Sequence, residues 1–342
     1  MHSDKLKILV TGSSGNIGSC LCDLLSSHYD IVALDCRPET PGHKRPYRSR
    51  DISTTPYQTI PADIFDANIL EDLFSKHRFD AVIHCAGVSR QLFKNFDYSR
   101  YHDTNVATTR RLAELTSDAN PSARFIFLSS VLVYGEHLNR MPVSEQLTCH
   151  PACDYSRSKL EAEVLLKKMF DDSRLDMINI LRLAQVYDVD FSDNLDKRVF
   201  SPFKLCYLKL GRGQQRMSAL SRRNFIDFLR YLIERNNGNI SQREFEVYNV
   251  SDKAPYSFWH IIQSFRRSNS RPNRPVLPVP FWAIRISLRI LAAALWKNKD
   301  WVESCYNKLT LDFIYDNNKM LQTGFMPIDT IDSVFLDNPD KS

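Results

Sequence analysis

Leu6-Lys7-Ile8-Leu9-Val10-Thr11-Gly12-Ser13-Ser14-Gly15-Asn16-Ile17-Gly18 decides the fold. An apolar run of strand length ends in three regularly spaced glycines, and a helical pattern over residues 17–25 begins at once. Glycines let a backbone turn tightly and approach a pyrophosphate, and the helix N-terminus behind them offers N–H groups and a positive dipole. Residues 30–34 read as the next strand, and Asp35 ends it at the place where a dinucleotide fold carries an acidic residue, roughly 20 positions after the glycines. A carboxylate there accepts hydrogen bonds from the adenosine ribose and repels a 2′-phosphate, which favours NAD over NADP. Arg37 and the basic loop of residues 36–56, with Lys44, Arg45, Arg48 and Arg50, pull the other way and keep NADP as the second reading.

Working outward, residues 79–84, 125–128 and 177–183 read as further buried strands, and 67–76, 98–117 and 155–170 as the helices between them. Such alternation predicts an α/β fold, a doubly wound parallel sheet of Rossmann type covered on both faces. Beyond about residue 185 the pattern is irregular until a strand at 244–250 and a helix at 257–265. The expected organisation is a dinucleotide-binding domain over 1–185, to which 225–250 returns, and a smaller, mostly helical substrate region over 186–224 and 251–342. In that region 281–296 forms an apolar helix with Arg285 and Arg289 on one face. It suits a core helix, or a surface that docks on a membrane or a partner.

The composition is that of an ordinary globular chain: 342 residues with 45 Lys+Arg against 40 Asp+Glu. That excess suits a small anionic ligand and is too slight to argue for nucleic acid. The eight cysteines are scattered without a paired C-x-x-C framework, so Cys149, His150 and Cys153 read as a reduced loop and no metal is expected. No apolar run reaches the ~18 residues of a membrane span. The polar start runs straight into a strand, so no signal peptide and a cytoplasmic location are expected.

Tyr155-Ser156-Arg157-Ser158-Lys159 sets a phenol and an ammonium four residues apart, on one face of the helix over 155–170. A lysine so placed is expected to lower the phenol from its usual ~10. The pair could then exchange a proton with a sugar or alcohol hydroxyl. Alone, such spacing is equally that of a solvated helix face. It gains weight from the glycine loop and from a third hydroxyl elsewhere in the chain.

Further stretches follow the same pattern: Asp63-Ile64, Cys85-Ala86-Gly87 after a strand, Asn105 on a helix, and Phe127-Leu128-Ser129-Ser130-Val131-Leu132-Val133-Tyr134-Gly135. Tyr248-Asn249-Val250 and Tyr315-Asp316-Asn317 are looser matches. Together they resemble the extended short-chain dehydrogenase/reductase family, in its branch of nucleotide-sugar epimerases and 4-ketoreductases. The resemblance implies that Gly12, Ser14, Gly15, Asn16, Ile17, Gly18, Asp35, Asp63, Ile64, Cys85, Ala86, Gly87, Asn105, Tyr155 and Lys159 bind NAD. It implies that Ser130, Tyr155 and Lys159 are catalytic, and that Ser89, Ser130, Gln185 and Arg223 meet a nucleotide-sugar substrate, with Arg90 beside Ser89 in the pocket wall. It also implies a homodimer formed by the helices over 98–117 and 155–170, to which Val106, Leu112 and Leu115 would contribute.

Departures from that pattern narrow the reading. The branch's 4,6-dehydratases carry an acidic pair after the catalytic hydroxyl, where this chain has Val131 and Leu132, so a dehydratase of that type is not expected. The segment Leu181-Arg182-Leu183-Ala184-Gln185-Val186-Tyr187-Asp188-Val189 lacks the family's Gly-Pro turn, which leaves the substrate open. Two alternatives stand beside the sugar enzyme: a reductase of a lipophilic alcohol on the same fold, and a non-catalytic dinucleotide sensor.

Overall fold

Lys7–Thr11, buried on both faces beyond its first residue, is an interior strand of a seven-stranded sheet. The structure is a computed structural model. It describes residues 5–36, 56–88, 97–135, 142–235, 243–294 and 299–336. Ser89, Arg90, Arg37, the remaining basic positions of the 36–56 loop, the Arg289 side chain and residues 295–296 lie outside the described residues.

The chain runs through β1 (Lys7–Thr11), α1 (Gly18–Leu25), β2 (Asp30–Asp35), β3 (Gln58–Pro61), α2 (Ala67–Lys76), β4 (Ala81–His84), α3 (Tyr98–His102), α4 (Thr108–Ala119), β5 (Arg124–Ser130), α5 (Asp154–Asp171) and β6 (Met177–Leu183). It continues as β7 (Gln185–Tyr187), α6 (Asp193–Val199), β8 (Tyr207–Leu210), β9 (Arg216–Met217), β10 (Ala219–Ser221), α7 (Arg222–Arg235), β11 (Glu244–Val250), β12 (Tyr256–Ser257), α8 (Phe258–Arg267), β13 (Val276–Val279), α9 (Phe281–Ala294), α10 (Lys299–Thr310), α11 (Asn318–Gln322) and α12 (Ile331–Leu336).

The sheet order is β11-β6-β5-β4-β1-β2-β3, and β1 to β6 pair in parallel. This is the doubly wound arrangement expected from the alternating pattern. Its strand order reverses between β1 and β4, the place where such sheets open a crevice at the strands' C-terminal ends. Leu9, Val32, Val82, Phe125, Phe127, Ile178 and Ile180 fill the core between the sheet and its helices. Leu112, Leu115 and Val106 are buried in that same core.

Contacts divide the chain into two compact units. The first is Met1–Gly135, Thr148–Leu183 and Ile226–Tyr248; the second is Glu136–Leu147, Ala184–Phe225 and Asn249–Ser342. The second has its own core, built on Tyr187, Leu195, Tyr207, Ile261, Ile262 and Phe265. Among the described residues its strands pair only as two-stranded ribbons.

The helix expected over 98–117 is broken into α3 and α4 by one π-turn, Asp103–Ala107. The wide turn surrounds Asn105, which is fully buried and needs side-chain partners there. No helix among the described residues is long and apolar enough to cross a membrane.

Candidate active site

The glycine loop leaves β1 at Thr11. Gly12 has φ 69°, a conformation that a side chain disfavours, and a Cβ on it would lie 2.6 Å from the Ala86 backbone nitrogen. The Gly15 N–H donates to the Gly12 carbonyl (3.0 Å) and closes the turn. A Cβ on Gly18 would sit 2.3 Å from the Gly12 carbonyl oxygen, so the first turn of α1 folds tightly onto the loop. No side chain caps that helix N-terminus. Asn16 is exposed and Ile17 half-buried there.

Asp35 is buried at the end of β2, and its Oδ2 accepts a hydrogen bond from the Ser14 N–H (2.8 Å). One strand further, Asp63 and Ile64 follow β3, joined to β2 by Ala62 N–H donating to the Asp35 carbonyl (3.0 Å). Asp63 is exposed, with Oδ1 accepting from Phe65 N–H, and Ile64 packs on the core. A turn of glycines, an uncapped helix start and a carboxylate on the neighbouring strand fit a dinucleotide whose adenosine ribose is unphosphorylated.

A second group gathers beyond β4 and β5. Cys85, Ala86 and Gly87 follow β4. A Cβ on Gly87 would lie 2.9 Å from Asn105 Oδ1 and 3.3 Å from Lys159 Nζ, so these two side chains converge on that glycine. Asn105 holds Val88 from both sides, accepting from its N–H (2.9 Å) and donating to its carbonyl (3.2 Å). It also donates to Ser158 Oγ (2.9 Å). Ser158 donates in turn to the Tyr155 carbonyl (2.8 Å), tying this loop to α5. The start of α5 is set by a capping box between Cys153 and Ser156.

Tyr155 hydrogen-bonds to the Ser130 hydroxyl, and its ring meets Tyr101 edge-on at 6.5 Å. Lys159 lies one turn on, with Nζ 4.6 Å from the Phe127 ring centre. The three candidate catalytic side chains thus share one unit, at the C-terminal ends of β4 and β5. Electrostatics correct one expectation. Tyr155 is not made acidic: burial pushes its phenol up to about 12, against the opposing pull of the Ser130 hydrogen bond. Burial also pulls Lys159 down to about 8, with Cys85 and Glu163 acting to restore it. The cost of desolvating a phenolate outweighs the Ser130 hydrogen bond. At neutral pH the pair is a phenol O–H beside a lysine that is still mostly charged.

Two polar devices were not legible beforehand. His84 is fully buried between Thr11 Oγ1 (2.7 Å from Nδ1) and Thr109 Oγ1 (2.9 Å from Nε2). Thr109 spends its single proton on the Asn105 carbonyl (2.7 Å). It therefore accepts from His84 Nε2–H, and Nδ1 accepts from Thr11. Burial and then Lys159 push the imidazole down to about 3. An imidazole whose folded value lies below its unfolded 6.5 contributes stability that is complete above pH 6.5 and is lost as pH falls toward 3. Between pH 7 and pH 5 the wild type should lose ~2 kcal/mol more than His84→Gln in urea denaturation. Equal losses would show that the ring protonates without penalty.

The second device is Glu163, on α5, which accepts from Ser129 Oγ (2.5 Å) and from Arg182 Nη2 (2.6 Å), while Arg182 Nη1 donates to Tyr134 Oη (2.9 Å). The signal for His84 was a polar residue at the end of the apolar run Ala81-Val82-Ile83.

The other two candidate substrate residues belong to the second unit. Gln185 is half-buried in β7. Arg223 is exposed at the start of α7. That start is pinned by Asn224, whose Oδ1 accepts from Ile328 and Asp329 N–H and whose Nδ2 donates to Asp252 (2.7 Å). Arg222, next to it, is buried and paired with Asp188 (3.7 Å) and Asp190 (3.2 Å). The residues that replace the Gly-Pro turn therefore hold a buried arginine. Among the described residues no cluster of three His, Cys, Asp or Glu is placed to hold a metal ion.

A family model described as the NAD dependent epimerase/dehydratase family matches residues 8–250, from β1 to the end of β11. The chain belongs to this family. The UDP-glucose 4-epimerase of Pisum sativum is 31% identical to this epimerase/dehydratase-family chain over 172 residues, 49% of the chain and 48% of the relative. That of Yersinia pestis is 34% identical over 163 residues, 47% of each. The chain thus spans about half the length of the curated relatives it matches. The crystal structure of UDP-glucuronic acid 4-epimerase from Bacillus cereus in complex with NAD superposes with a TM-score of 0.68 at 22% identity, covering 96% of both chains. That of dTDP-glucose 4,6-dehydratase from Bacillus anthracis, also with NAD, gives 0.69 at 16% identity, covering 96% of this chain and 94% of the other. These likenesses show the shared fold.

Proposed function

We propose that the chain binds NAD and epimerises a UDP-activated sugar at C4. The observation that carries this is the meeting of Ser130, Tyr155 and Lys159 beside Gly87 and Asn105, at the same sheet end as the glycine loop and Asp35. The names of the relatives, UDP-glucose 4-epimerases, support the substrate class.

In this reading Gly12 to Gly18 receive the pyrophosphate and Asp35 the adenosine ribose. Lys159 and Asn105 hold the nicotinamide half against Gly87. NAD, when bound, supplies a hydride acceptor that becomes the donor for the return step. Ser130 hydrogen-bonds the sugar oxygen. Tyr155 as phenolate takes the hydroxyl proton in the oxidation step and, as the phenol O–H so formed, returns it to the keto oxygen in the reduction step. The phenolate is favoured by the positive charge of the nicotinamide of bound NAD. Arg223 takes the diphosphate, and Gln185 the sugar. We further propose that two copies pair through α4 and α5, and that the protein works in the cytoplasm, a location that suits eight cysteines scattered without a paired C-x-x-C framework.

The test incubates the NAD-loaded protein with UDP-glucose, UDP-glucuronate and UDP-N-acetylglucosamine and follows C4 configuration by NMR. Appearance of a 4-epimer is the expected result. No epimer from any of the three, together with NADH-driven reduction of a 4-keto sugar, would replace the epimerase by a 4-ketoreductase. Arg223→Ala should raise KM for the UDP-sugar about 10- to 100-fold, the value of a charged hydrogen bond, with kcat little changed. An unchanged KM would remove Arg223 from the substrate site.

A further inference from the structure

From Lys253 to Lys299 the sequence contains no Asp or Glu, in a chain whose charges otherwise nearly balance. The four tryptophans all lie between Trp259 and Trp301. Within this acid-free stretch, α9 turns an apolar face outward. Phe281 is 41% exposed, Trp282 68% and Ile286 49%, while Ile284 is the inward contact at 9%. Phe281 and Arg285 stand one turn apart, as do Trp282 and Ile286, so the exposed Arg285 sits within the same patch. Leu277 of β13, 52% exposed, precedes it.

The helix is anchored in this orientation. The Phe281 ring packs on Gly211, where a Cβ would lie 2.4 Å from it, and the neighbouring Arg212 is exposed. Arg266 and Arg267 at the end of α8, and Arg274 before β13, are exposed as well.

We propose that this face docks on the surface of an anionic lipid bilayer, with α9 lying in the interface. Two features choose lipid over a protein partner. An arginine inside an apolar patch is costly to bury against protein unless a carboxylate meets it. At a bilayer its stem lies among acyl chains while the guanidinium reaches the phosphates. Tryptophan is the residue that favours the headgroup level, and basic side chains around it are drawn to a negative leaflet. The helix lies on the bilayer and does not span it: no described helix is long and apolar enough to cross.

The test sediments the full chain with vesicles of phosphatidylcholine alone or with phosphatidylglycerol added. The expected result is at least ~10-fold stronger binding to the anionic vesicles, weakened by salt, with a blue shift of tryptophan emission. Trp282→Ser with Ile286→Ser should reduce that binding about tenfold or more, and Arg285→Glu separately should do the same. Both alter exposed side chains, so NAD binding and thermal unfolding should stay as in the wild type. Absence of binding to anionic vesicles, equal binding to neutral ones, or binding that both variants retain would overturn the proposal. So would concentration-dependent self-association through the patch without vesicle binding. None of these outcomes bears on the sugar chemistry, which the epimer assay reads independently.

Discussion

Tyr155→Phe should lower kcat with a UDP-sugar by about 10²- to 10⁴-fold, the range that a positioned general acid–base contributes. The substitution removes one oxygen and leaves the ring, so the edge-on contact with Tyr101 at 6.5 Å and the body of α5 remain. NAD binding and KM should therefore stay within a few-fold of the wild type, which separates loss of proton transfer from loss of binding. The size of the effect follows from the surroundings. Burial holds the phenol at about 12, so the proton its oxygen takes from the C4 hydroxyl is bound firmly and is then returned to the keto oxygen. Ser130→Ala keeps that donor and removes a hydrogen bond, so it should cost less than Tyr155→Phe. Turnover of Tyr155→Phe within about fivefold of wild type would assign the proton to another group, because an acid–base residue contributes at least about a hundredfold.

The parts legible in the sequence are those whose physics is local. The apolar run before Gly12, the i,i+4 pair of Tyr155 and Lys159, and the strands ending in Asp35 and His84 each announce themselves within a few residues. α2 and β6 begin and end where the pattern placed them, and the Asp66 cap explains the start of α2, accepting from Asn68 and Ile69 N–H.

What was hidden depends on distant partners. The ribbons β8 with β13 and β9 with β12 are two to four residues long and join segments far apart in the chain. Adjacent arginines gave no sign that Arg222 would be buried and Arg223 exposed, because Asp188 and Asp190 decide it. Glu163, in a Leu-Glu-Ala-Glu-Val pattern, reads as a surface acid until Arg182 is brought against it. The acidity of Tyr155 went the other way from the expectation for the same reason: the spacing showed the lysine but not the depth of the surroundings.

Glu163→Ala should destabilise the first unit by ~3–5 kcal/mol, the cost of leaving one partner of a buried ion pair uncompensated. Arg182 and Glu163 side chains are 8% and 5% exposed, and both carboxylate oxygens accept from the guanidinium. Without Glu163 that charge has only the Tyr134 hydroxyl among the partners described above. The double variant Glu163→Met with Arg182→Met should recover most of the loss, since apolar residues of similar volume often replace buried pairs without penalty. Stability is not the whole role, however. Glu163 stands one turn beyond Lys159 and two beyond Tyr155, and it binds Ser129, the residue before Ser130. It thus sets the position of the helix bearing two of the candidate groups relative to the strand bearing the third. The stable double variant should still turn over about 10- to 100-fold more slowly, because small displacements of reacting groups are expensive, with KM close to that of the wild type. Urea denaturation and steady-state kinetics on the same preparations decide it. A double variant with full stability and full turnover would make the pair a packing element alone, and a single variant that loses less than about 1 kcal/mol would contradict the buried charge itself.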